Sequence, residues 1–124
     1  MPWIERVEMK VNEITLYRGN SAVIELNISV SGEKYILQDG DTVEFAVKSS
    51  SDRNADKIIS KILTNSDYNE NNSLQIEISP SDTISLQPFT YCYDVGITFA
   101  DGSFYTVIPP SAFRISATVT EVST

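Results

Sequence analysis

The sequence predicts an all-β fold, an antiparallel β-sandwich. Three observations carry that expectation. Apolar and polar residues alternate with a period of two in run after run, Gly-, Asn- and Asp-containing turns separate the runs, and no stretch keeps a long helical period. About eight short strands at this spacing need two packed layers to bury their apolar faces.

The elements follow in chain order. Glu13–Tyr17 is a weak strand, and Arg18-Gly19-Asn20-Ser21 turns the chain with residues that tolerate positive φ. Ile24, Leu26, Ile28 and Val30 then alternate with Glu25, Asn27 and Ser29. Ser31-Gly32-Glu33-Lys34 and Gln38-Asp39-Gly40-Asp41 are turns, and Val43, Phe45 and Val47 alternate with Glu44, Ala46 and Lys48. Lys57–Thr64 is a strand bracketed by two polar loops, Ser49–Asp56 and Asn65–Ser73. Leu74, Ile76 and Ile78 alternate again, and Ser79-Pro80-Ser81-Asp82 reads as a single helical turn with Ser79 as its cap and Pro80 at its first position. Tyr91, Tyr93, Val95, Ile97 and Phe99 share one register, followed by Asp101-Gly102, a strong hairpin signal. Phe104–Ile108 is a weaker strand, Pro109-Pro110 is expected to break the sheet, and Phe113, Ile115, Ala117 and Val119 form the last register. The expected core is Ile24, Leu26, Ile28, Val43, Phe45, Val47, Ile76, Ile78, Val95, Ile97, Ile115 and Val119.

Composition narrows the function. The chain has 124 residues, the size of one domain. With no His, imidazole general acid–base chemistry and His-containing zinc sites are excluded. The single Cys92 excludes an internal disulfide, and no cation near it in sequence would activate its thiol, so it reads as a strand filler. A net charge of −8 argues against nucleic acid as a partner. No run approaches the ~20 apolar residues of a membrane span, and the charged start Met1-Pro2-Trp3-Ile4-Glu5-Arg6 lacks a signal-peptide pattern. An enzyme is therefore not expected, nor any cofactor or metal.

Three segments carry more than periodicity. They are Ile14-Thr15-Leu16-Tyr17-Arg18-Gly19-Asn20, Leu37-Gln38-Asp39-Gly40-Asp41-Thr42-Val43-Glu44-Phe45-Ala46-Val47-Lys48, and the run from Leu86-Gln87-Pro88 through Tyr91-Cys92-Tyr93-Asp94 to Asp101-Gly102. In this order and spacing the chain resembles the immunoglobulin-like N-terminal domain of phage baseplate upper proteins and related prophage tail proteins of Gram-positive bacteria. The resemblance implies an immunoglobulin-like antiparallel β-sandwich of 7–9 strands over residues 11–124, with 1–10 as an N-terminal extension. It implies a non-enzymatic structural domain of a tail baseplate, made in the bacterial cytoplasm and carried in the virion tail. Other tail or baseplate proteins, or further copies of the chain, would be its partners. The alternative is a carbohydrate- or receptor-binding module at a virion tip or cell surface.

Several residues invite sharper readings. Tyr91 and Tyr93 suit a sugar platform, but inward placement with one hydroxyl on backbone, as in the tyrosine corner of sandwich folds, is the better reading. Asn65, Asp67, Asn69 and Asn71 alternate as calcium ligands do, yet Glu70 and Ile76 stand where an EF-hand needs Gly and Glu. These residues, and the pairs Asp39/Asp41 and Asp52/Asp56, read as turn-formers. Scattered carboxylates suit a solvated surface better than a glycosidase cleft. Trp3, Tyr35, Tyr68 and Tyr105 are the aromatics left for exposed contacts, far apart in sequence.

The Lys57–Thr64 strand stands out because both of its registers are apolar. Ile59 and Leu63 share one with Lys61, and Ile58 and Ile62 share the other with Ser60 and Thr64. One pair must face outward, where a loop, a terminal segment or another subunit covers it. Ile58, Ile59, Ile62 and Leu63, with Trp3 as a cover or co-contact, are the candidate interface.

Overall fold

The computed structural model describes residues 13–119. Nine strands and one helical turn follow in order: β1 (Ile14–Tyr17), β2 (Ala22–Leu26), β3 (Ile28–Val30), β4 (Glu33–Tyr35), β5 (Thr42–Lys48), β6 (Lys57–Leu63), β7 (Leu74–Ile78), α1 (Pro80–Thr83), β8 (Phe89–Thr98) and β9 (Phe104–Ser116). The fold is all-β. A five-stranded sheet runs β1-β9-β8-β5-β6, and β2 with β7 and β3 with β4 form two-stranded sheets. Residues 1–10 of the expected extension, Trp3 among them, lie outside the described residues.

The alternation places the core. Val43, Phe45 and Val47 of β5, Val95 and Ile97 of β8, and Phe113 and Ile115 of β9 are buried in one cluster with Leu26, Ile28, Leu74, Ile76 and Ile78 of the small sheets. Burying such side chains is the main favourable term in folding, at about 25 cal/mol per Å² of apolar surface. Ile24, an expected core residue, is only partly buried against this cluster. Val119 departs outright: it is fully exposed, because strand pairing ends at Ser116.

Three further features differ from the expectation. β1 pairs with β9 in parallel, Ile14 opposite Phe113 and Tyr17 opposite Ser116, so the large sheet is mixed rather than antiparallel. The expected strand through Ile24, Leu26, Ile28 and Val30 divides at Asn27, where the chain exchanges β7 for β4 as partner and Val30 emerges to the surface. Pro109-Pro110 does not end the strand. β9 continues through it while its register against β8 slips between Tyr93 and Val95, so the prolines occupy a bulge where the ladder is interrupted.

The turns follow their chemistry. Ser31 and Gly32 both adopt positive φ (55° and 81°), the two-residue turn that joins β3 to β4. Gly102, at φ 93°, closes the β8–β9 hairpin. At α1, Ser79 is the cap, Pro80 holds the first position, and the Asp82 carboxylate accepts the Ser79 backbone N–H at 2.8 Å. The Tyr91 hydroxyl donates to the Gln87 carbonyl at 2.8 Å, the corner bond expected of this strand.

Candidate functional site

Two regions present chemistry at the surface. The first is the outer face of the large sheet at its β6 edge. Ile59 and Leu63 point into the core and are buried, so as partner contacts they are corrected: the inward register of β6 claims them. Ile58 and Ile62 face outward, 38% and 57% exposed. Beside them Glu44 of β5 accepts hydrogen bonds from Lys57 Nζ and Ser60 Oγ, each at 2.7 Å. The Lys57 ammonium, helped by Ser60, holds the Glu44 carboxyl below its usual range against the opposing pull of burial. On the inward side, Lys61 Nζ meets Asp82 at 2.9 Å.

Asp94 and Cys92 of β8 share the outer face. Burial pushes the Asp94 carboxyl up, with Glu44 adding to the rise and Lys48 opposing it. Burial also pushes the Cys92 thiol up, and the Asp94 charge reinforces this, so the environment disfavours a thiolate.

The second region is a groove of about 870 Å³ between the β3–β4 hairpin and the tip of the β8–β9 hairpin. Ile28, Ile97 and Val107 lie at its base, and Val30, Tyr35 and Tyr105 line it higher up. Its rings form a row. Tyr35 meets Phe99 edge-on at 5.5 Å between centroids, and Phe99 meets Tyr105 at 5.8 Å, leaving Tyr105 59% exposed. Asp41 braces the row from below. Its buried carboxylate accepts hydrogen bonds from the Tyr35 hydroxyl, from the Gln38 N–H at 2.9 Å and from the Ala100 N–H at 2.9 Å. Burial pushes this carboxyl up, but the three hydrogen bonds outweigh it and hold the group below its ordinary value. The Tyr35 phenol is pushed up to about 12, by burial first and then by Asp41.

Sequence spacing concealed this groove, since Tyr35 and Tyr105 sit on different hairpins. At its polar end Gln38 and Asp41 meet Asp101 and Ser103, a juxtaposition that the two turns do not signal in the sequence. Tyr68 stands elsewhere, its hydroxyl accepting the Leu37 N–H at 2.8 Å.

Of the other polar candidates, Asp67, Asn69 and Asp52 behave as turn-formers, whereas Asn65 donates to Asp39 across two loops. Asp67 accepts the Thr64 N–H, Asn69 Oδ1 accepts those of Asn71 and Ser73, and Asp52 accepts that of Asn54. Gly19, at φ 81°, turns the chain within Arg18-Gly19-Asn20. Among the described residues no group of three or more His, Cys, Asp or Glu is arranged to hold a metal ion. No helix among them is long and apolar enough to cross a membrane.

No family model matches the chain, and no curated protein matches it.

Proposed function

We propose that this chain is a non-enzymatic assembly domain of the immunoglobulin-like type, working through protein–protein contacts in a phage or prophage tail baseplate. The observation that carries the assembly reading is β6, a strand at the sheet edge with two isoleucines turned to solvent. Apolar side chains beside unpaired backbone are what an interface uses and what a free surface avoids. The tail assignment rests on the resemblance of the three segments named above. The test replaces Ile58 and Ile62 together by Asp in the producing phage or lysogen. The chain is expected in purified particles by mass spectrometry, and the folded variant is expected to be lost from them. Particles that lack the unmodified chain would overturn the tail reading.

The groove favours a second reading, a carbohydrate-binding module. An aromatic row with an exposed Tyr105, next to the polar groups of Gln38, Asp101 and Ser103, offers both stacking and hydrogen bonding. Host cell-wall polysaccharide titrated against the protein separates the two. Binding lost in Tyr105→Ala but kept in the Ile58/Ile62 variant supports the module, and no binding by the unmodified protein removes it.

A further inference from the structure

Sheet edges normally defend themselves, most often with lysine, whose charge and length keep a second strand away. β6 carries two lysines, and both are occupied within their own chain. Lys57 is bonded to Glu44 at 2.7 Å and Lys61 to Asp82 at 2.9 Å. Their charges are balanced, the Lys57 ammonium by Glu44 of β5 and the Lys61 ammonium by Asp82 of α1. The loops that bracket the strand bond to other parts of the chain. In the loop after β6, Asn65 donates to Asp39 of the β4–β5 connection and the Asp67 carbonyl accepts the Gln75 N–H of β7. The loop before it is tied back by Lys48 to the Arg53 carbonyl.

The strand is also self-complementary. In Lys57-Ile58-Ile59-Ser60-Lys61-Ile62-Leu63, Ile58 and Ile62 stand two residues on either side of Ser60 and both are exposed, with Ile58 at the bulge where β6 slips against β5 between Ile59 and Lys57. An antiparallel two-fold centred on Ser60 therefore sets each Ile58 against Ile62 of the other copy. Two exposed apolar residues become two apolar cross-strand pairs. Neutralised lysines remove the like-charge repulsion that such a pairing would otherwise meet.

We infer that β6 pairs edge to edge with β6 of a second copy, antiparallel about Ser60, joining two five-stranded sheets into one of ten strands. This rests on the assembly reading above and names the partner at that site.

The test uses the full chain with Cys92→Ser and Ser60→Cys. Residues facing each other across an antiparallel pair lie about 4.5–5.5 Å apart at Cα, within disulfide reach. Mild oxidation should give a covalent dimer on a non-reducing gel. Thr15→Cys, exposed on the opposite edge strand β1, should stay monomeric under the same treatment. Sedimentation of the unmodified chain at tens of micromolar should give a dimer, and Ile58→Asp with Ile62→Asp should halve the mass while circular dichroism stays unchanged. A dimer that Ser60→Cys fails to cross-link overturns the edge pairing and leaves the assembly reading standing. A monomer overturns the self-pairing, and loss from particles then decides the assembly reading on its own.

Discussion

The ring of Phe104 lies across Gly96, filling the space where any other residue would carry its Cβ. The two sit on neighbouring strands of the outer sheet face, with Phe104 opposite Thr98 and Gly96 opposite Thr106. A strand-interior glycine is a weak point, and the aromatic covers it. Gly96→Ala should therefore lower stability by displacing the ring. In a Phe104→Ala background the same substitution should raise stability by about 0.5–1 kcal/mol, because only the entropic cost of glycine remains. Urea denaturation of the four proteins checks this reversal of sign.

Thr83 is fully buried, and its Oγ1 accepts the Gly19 N–H at 2.8 Å. It ties the β1–β2 turn to α1 across 64 residues of chain. Thr83→Val keeps the shape and leaves a buried donor unpaired, at a cost of about 1–3 kcal/mol. Thr83→Ser should recover most of that loss in thermal unfolding.

Asp41 makes stability depend on acid. Its folded-state pKa is depressed, so its contribution is complete above the unfolded value of about 3.9 and is lost as pH falls through the lower folded value. Asp41→Asn should flatten that acid limb. At neutral pH it should cost about 2–3 kcal/mol, because an amide nitrogen now opposes one of three donors. Denaturant melts from pH 2 to 7 read both effects.

At the alkaline end the sign is opposite. Tyr35 and Tyr93 are both raised to about 12, Tyr35 by burial and the Asp41 bond and Tyr93 by burial. Their contribution is complete below the ordinary value of about 10 and is lost as pH rises through about 12. Absorbance at the phenolate band should resolve two late-titrating tyrosines, with Tyr35→Phe removing one.

Much of this fold could be read from the chain because period-two alternation reports which face a residue takes. Val43, Phe45, Val95 and Ile97 were legible for that reason, and so was the Tyr91 corner. Alternation does not report which strand lies alongside, so the parallel β1–β9 pair was hidden, as was the change of partner at Asn27. Pro109-Pro110 misled because a proline forbids a ladder bond without forbidding a bulge. Val119 misled because an alternating run can outlast its partner strand. At β6 the residues alone identified a strand apolar on both faces. Which pair turns outward depended on its register with β5, where Ile59 stands opposite Val47 and Leu63 opposite Val43.

The parallel contact between β1 and β9 also sets how the domain bears load. Tension applied through the chain before Glu13 and after Ser116 draws the two strands past each other along their common axis. The four paired positions from Ile14 to Tyr17 then resist together in shear, and the Arg114–Glu13 ion pair at 2.9 Å lies at one end of the seam. A hairpin in that position would peel open one bond at a time. Strands β1 and β9 thus form a clamp that yields only when its whole length lets go.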